Sequence, residues 1–279
     1  MENFSLTALR YVIKYELIWN IRKAKLYFVL ALVLALSFIV TYFMARFVTG
    51  ISAGDFWYVS LTELSSWFFL LLIASTISMN TISGEFESGS ILPLLSKPIS
   101  REEIYFGKYL AIAIIVLLEL LLLSVSLVVF SYILKGAPSD VWKLGVLWLA
   151  ITLSALVYAA FTMMLSSVSK NSIVALMGTF GVLFGMTIAV GIYSIMNSSP
   201  YWFSFFPFLG TDGVMYSTYN AMSTPNAYVN NSSGFGKASL LPWTYLQYTG
   251  MEVLLSVIYV VLFLFIGFYY FNNSDIKES

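Results

Sequence analysis

Six long apolar runs alternate with shorter polar connections along this chain, over approximately Leu26–Val48, Tyr58–Ile82, Tyr109–Leu134, Val141–Val168, Ser172–Met196 and Gln247–Phe271. A helix rising ~1.5 Å per residue needs ~20 such residues to cross a hydrocarbon slab of about 30 Å, and every run meets that length. Apolar residues continue around each face of the runs, without the narrow stripe of a soluble amphipathic helix. The pattern predicts an all-α membrane protein with six transmembrane helices. The first run is too long for a secretory signal peptide, and no small-residue cleavage site follows it.

Two further segments carry pattern without being plain spans. Ahead of the first run, Leu6, Leu9, Ile13, Leu17 and Ile21 recur at three- and four-residue steps, with Arg10, Lys14, Arg22 and Lys23 around them. This predicts an amphipathic helix lying in the membrane interface, although Val12, Ile18 and Trp19 fall off the stripe; an ordinary juxtamembrane helix and a docking element both fit it. The stretch 197–246 contains only Asp212 and Lys237 as charges but twelve aromatic residues, from Tyr201 to Tyr245. That load is wrong for a disordered loop and predicts a folded, aromatic-rich cap at headgroup level, divided by Pro200, Pro207, Pro225 and Pro242. Residues 1–25 are thus expected to form an interfacial helix and 26–279 a single transmembrane domain, with a connecting loop at 83–108 and the cap between spans five and six.

Lysine and arginine fix the expected orientation, because cytoplasmic connections carry their excess. With the N-terminus inside, the inner set is Arg10, Lys14, Arg22, Lys23, Lys25, Lys97, Arg101, Lys108, Lys170 and Lys277, against Arg46, Lys135, Lys143 and Lys237 outside. Both termini are therefore expected in the cytoplasm of a cell-membrane protein, with 197–246 outside. Composition agrees: 59% of the 279 residues are hydrophobic and 10% charged, far from a soluble domain. Fourteen Lys and Arg balance fourteen Asp and Glu, so no basic field points to nucleic acid. Without cysteine or histidine, the chain lacks thiol nucleophiles, disulfides and the commonest general base and transition-metal ligand.

The connection between spans two and three, ISGEFESGSILPLLSKPISREEIYFGKYLA from Ile82 to Ala111, concentrates the local signals. Ser100 and Glu103 form a capping-box pair, flanked by Ile99 and Ile104 at staple positions, so a helix should start at Arg101 and run into span three. Pro98 holds Lys97 extended, and Gly84 and Gly89 are expected to break the piece before it. Between them lies a short apolar element, Ile91, Leu92, Leu94 and Leu95, which must bury against lipid, its own chain or a partner.

Those residues resemble the signature of ABC-2 type transporter permeases, an acidic residue, Gly, a small hydroxyl residue, an apolar run with Leu-Leu-Ser, Pro, Ser-Arg and then Gly-Lys. The matching positions are Glu85, Gly89, Ser90, Leu94, Leu95, Ser96, Pro98, Ser100, Arg101, Gly107 and Lys108. Ser90 stands where Thr is commoner, and Pro93 interrupts the apolar element. The turn LSSVSKNSIVA at Leu165–Ala175 is also similar to the family. The resemblance implies a coupling helix in this connection, with Leu92 beside the motif leucines, docking on separately encoded ATPase subunits, two per complex. It also implies a second permease copy or a related permease, and ATP and magnesium held by the partner rather than by this chain. A partnerless interfacial hairpin is the plainer alternative.

No Walker A sequence is present: Glu102 and Asn231 occupy the position of its first glycine ahead of Gly107-Lys108 and Gly236-Lys237. Glu119 falls ten residues into span three, near the bilayer midplane, where it either lines a translocation path or locks a helix contact. Glu63 and Glu252 lie near the outer ends of their spans and read as interfacial anchors. Gly181 and Gly185 form a G-x-x-x-G step suited to close helix packing, more readily within the chain than in a dimer seam. The expected function is the membrane subunit of an ATP-driven exporter. An ion- or proton-coupled secondary transporter would need more central titratable groups than Glu119, and a non-transport assembly protein would need a docking domain or catalytic constellation.

Overall fold

A computed structural model describes residues 5–22, 24–47, 56–57, 60–61, 67–90, 99–137, 142–196 and 242–273, of which 24–25, 67–68, 142–144, 146–147, 150, 183, 186–196 and 242–252 are described by backbone alone. The described residues form helices and turns, with no strand. In chain order the helices are α1 (Leu6–Ile21), α2 (Ala24–Phe47), α3 (Trp67–Ser78), α4 (Ser83–Ser88), α5 (Arg101–Lys135), α6 (Trp142–Ser169), α7 (Ser172–Met196) and α8 (Pro242–Asn272).

Five stretches are long and apolar enough to cross a membrane: Leu26–Phe47, Phe69–Ser88, Arg101–Lys135, Ile151–Ser169 and Val253–Asn272. Helix α7 occupies the expected position of a fifth span in the chain. The chain is a multi-pass membrane protein; of the cap expected at 197–246, residues 197–241 lie outside the described residues and 242–246 instead form the first turn of α8.

Helix α6 sits centrally, packing on α3, α5, α7 and α8. Its small buried residues Ala155, Ala159 and Ala160 let neighbouring backbones approach, as suits helices associating in lipid. The α8 contact is closest at Gly267, where an added Cβ would lie 2.1 Å from the Tyr105 hydroxyl and 3.0 Å from the Met164 Cα. Phe161 of α6 meets Phe263 of α8 edge-on, with ring centroids 5.0 Å apart. Helix α5 carries α2 and α1 on its other side. The hydroxyls of Ser75, Ser78, Thr162 and Ser167 bond to carbonyls three or four residues back in their own helices, satisfying them without water.

The start of α5 is as the capping pair foretold. The Ser100 hydroxyl accepts from the Glu103 N–H at 3.2 Å, and the Glu103 carboxylate accepts from the Ser100 N–H at 3.0 Å. From there α5 runs 35 residues, roughly 52 Å at the standard rise, so its first turns exceed the hydrocarbon thickness.

One local expectation needs correcting. The chain turns at residues 79–82, ending α3 at Ser78, and Gly84 then lies inside α4 rather than breaking it; Gly89, in the left-handed region at φ 68°, is where α4 stops. On α1 the residues buried against the chain are Val12 and Glu16; of the apolar stripe, Leu9, Ile13 and Leu17 are partly buried, and Leu6 and Ile21 are exposed. Packing against α5 selects the buried face, and the stripe lies beside it.

Replacing Ser100 by Ala removes one half of the cap while leaving the spans intact. The expected loss is about 1 kcal/mol, with Ser100→Asn retaining most of it, measured as thermal unfolding of the purified protein. Equal stability of Ser100→Ala and the parent would show that the cap contributes nothing.

Candidate functional site

At one end of the bundle α1, α4 and the beginning of α5 converge on Lys108, which is 2% exposed. Its ammonium donates to the carboxylate of Glu16 on α1 and, at 2.5 Å, to that of Glu85 on α4. Stripping water from an ammonium costs several kcal/mol, and close carboxylates are what offset it. The pair therefore fixes where α1 and α4 stand relative to α5. Gly107 makes the approach sterically feasible: a Cβ there would lie 2.7 Å from Val12 Cγ1 and 3.4 Å from Leu9 Cδ1 on α1. A second tie joins the same helices, because the Ser5 N–H at the start of α1 donates to Glu103 in the first turn of α5.

Helix α4 is only six residues long, yet it bonds directly to three others, and through Lys108 it is linked to a fourth, α1. Besides Glu85, its Glu87 accepts from both the N–H (2.7 Å) and the hydroxyl (2.9 Å) of Ser172 in the first turn of α7, where a negative charge is favourable. Its Ser83 N–H donates to the Ser166 hydroxyl of α6 at 2.9 Å, and that hydroxyl donates to the Met79 carbonyl at 2.9 Å. The Lys170 ammonium, in the tight α6–α7 turn, lies 5.1 Å from the centre of the Phe86 ring. Asn171 caps α7 by accepting from the N–H groups of Ile173 and Val174. The turn at Leu165–Ala175 thus meets the connection directly, although 80 residues separate them.

Of the residues singled out in the sequence, Glu85, Gly89, Ser90, Ser100 and Arg101 fall in this region. Ser90 is exposed and its hydroxyl is 2.9 Å from that of Ser88. Arg101 donates to the Asn272 carbonyl at 2.5 Å, joining α5 to the last turn of α8, a favourable place for a cation. Leu92, Leu94, Leu95 and Pro98 lie outside the described residues, as does Glu63; Glu252 is described by backbone alone. Glu119 is far along α5 and buried inside the chain, 1% exposed, so it does not join this cluster. Around Gly181 and Gly185 no described atom lies within 4 Å of where a Cβ would be, so neither glycine packs against the described part of this chain.

Glu16, Glu87, Ser166 and Ser172 were not foreseen. A single acid amid an apolar face, as Glu16 is on α1, was the one signal that pointed to a buried cationic partner. Beside the ion cluster an open cleft of about 530 Å³ is lined by Tyr15, Trp19, Ile77, Glu85, Glu87 and Lys108, among others. Among the described residues no three His, Cys, Asp or Glu side chains are placed to hold a metal. The arrangement is suited to transmitting force: a short element bonded to three helices, and through Lys108 to a fourth, cannot move without displacing them.

Residues 11–276 match the family described as ABC-2 family transporter protein. A curated relative, the uncharacterized membrane protein YdbK of Bacillus subtilis (strain 168), is 24% identical over 217 residues, which cover 74% of this chain and 76% of the relative.

Replacing Lys108 by Met leaves Glu16 and Glu85 buried together without their cation, and should cost about 3–5 kcal/mol. Adding Glu16→Gln and Glu85→Gln to Lys108→Met should recover most of that stability, read by thermal unfolding in nanodiscs. A single substitution as stable as the parent would mean that the cluster does not hold α1 and α4.

Proposed function

We propose, given that this chain belongs to the ABC-2 transporter family, that it is the membrane-spanning permease subunit of an ATP-driven exporter. The chain spans the membrane; hydrolysis is assigned to separately encoded ATPase subunits, two per complex, which hold ATP and magnesium. A second permease completes the assembly. The end of the bundle that gathers α1, α4 and the start of α5 is the cytoplasmic one, by the excess of lysine and arginine among its connections, and both termini lie on that side.

The observation that carries this reading is the bonding of α4. In sequence the apolar element at 91–95 follows α4 almost directly, and α4 is tied to α5 and, through Lys108, to α1 by Glu85, to α6 through Ser83, and to α7 through Glu87. An ATPase that grips Leu92, Leu94 and Leu95 would therefore pull on four helices together, converting closure of the motor into movement of the spans. Glu119, buried within α5, is assigned to the translocation path or to a helix lock, and the cargo is set by residues beyond this junction.

Changing Leu92, Leu94 and Leu95 to Asp should weaken ATPase binding at least ~10-fold and abolish transport while leaving membrane insertion intact. Gentle-detergent isolation with mass spectrometry measures both outcomes. Parent protein recovered repeatedly without an ATPase, or a triple-Asp variant that still retains one, would contradict the reading.

A further inference from the structure

The face of α1 turned away from α5 is exposed, and its chemistry is specific. Arg10, Lys14 and Ile21 follow one another along one strip, all exposed. Beside it runs a second strip, Tyr11, Tyr15 and Ile18, with Trp19 at its edge; Tyr11 is 67% exposed and Trp19 50%. Tyr15 and Trp19 stack with ring centroids 6.3 Å apart. Helix α1 contains one acid, Glu16, and that carboxylate is turned inward onto Lys108. The outer face is consequently cationic, with no ion pair to its cations among the described residues, and Arg22, also exposed, continues it.

Position narrows the occupant. Only residues 22 and 23 separate α1 from α2, whose apolar run begins at once, so α1 must lie close to the membrane surface. The sequence adds Lys23 and Lys25 in this link, giving five cations between residues 10 and 25. Aromatic side chains favour the headgroup layer, and clustered lysine and arginine immediately beside a span attract acidic headgroups. We infer that the outer face of α1 binds anionic phospholipid headgroups of the adjacent leaflet, Arg10, Lys14 and Arg22 engaging the phosphates and Tyr11, Tyr15 and Trp19 settling among the acyl-chain ends. Since the inner face of the same helix carries Glu16, the lipid and the Lys108 cluster hold opposite sides of one helix. The lipid site does not depend on the ATPase-coupling reading.

The test uses the full chain in nanodiscs of phosphatidylcholine containing a minority of phosphatidylglycerol, with bromine placed on the chains of one lipid or the other. The Trp19 signal is the emission of the parent minus that of Trp19→Phe. Matched for bromine content, phosphatidylglycerol should quench this signal at least ~2-fold more strongly than phosphatidylcholine, and high salt should erase the difference. The Arg10→Gln, Lys14→Gln, Arg22→Gln variant should show no preference at any salt. Equal quenching by the two lipids in the parent at low salt, or a preference that survives high salt, would overturn the inference. Both of these readings come from the parent and Trp19→Phe alone, so they hold even if the triple variant does not fold, and neither requires an ATPase.

Discussion

A single buried ammonium sets the arrangement at one end of this molecule. Lys108 cannot be left in an apolar interior without carboxylates beside it, and the chain supplies one from α1 and one from α4. Those carboxylates are equally unwelcome there without the lysine. Each partner thus makes the others' positions obligatory, and α1, α4 and α5 acquire a defined relation. Gly107, next in sequence, removes the side chain that would otherwise hold α1 away from α5.

Polar specificity and apolar packing are divided along the bundle. Through the membrane the helices meet mainly by surface fit, small alanines on α6 and aromatic pairs between α6 and α8, with a few neutral bonds such as Ser126 to Ser37 and Thr179 to Thr162. At the Lys108 end charged ties join the helices, Glu85 and Glu16 on Lys108, Glu87 on Ser172, Glu103 on Ser5 and Arg101 on Asn272, beside the uncharged bonds of Ser83 and Ser166. Fit alone tolerates sliding of one helix on another, whereas charged hydrogen bonds have a distance and a direction. A junction of that kind can pass on a displacement that a greasy interface would absorb.

How much of this was legible in the sequence follows from the range of each interaction. Hydropathy alone located α2, α6, α7 and α8 to within about five residues, and the end of α5 though not its start, since the length of an apolar run is set by the membrane and needs no knowledge of neighbours. The Ser100–Glu103 cap was readable because both partners lie within one turn. Glu85 and Lys108 were visible as family positions, but their bond spans 23 residues and that of Glu16 to Lys108 spans 92, beyond any periodicity. The face of α1 that packs on α5 was not readable for a related reason: leucine spacing marks what could be buried, while the partner decides what is. Gly181 and Gly185 show the converse, a packing step with no described neighbour in this chain. Local chemistry therefore revealed the elements, and the long-range pairing of charge revealed the site.

Because the chain has no native cysteine, spin labels can be placed at Thr7→Cys on α1 and Ser90→Cys beyond α4 without further engineering. Pulsed dipolar spectroscopy of this pair in nanodiscs reads directly whether α1 and α4 are held as one body through Lys108. A narrow, single distance distribution that broadens on Lys108→Met is the expected result; a distribution already broad in the parent, or unchanged by the substitution, would contradict it.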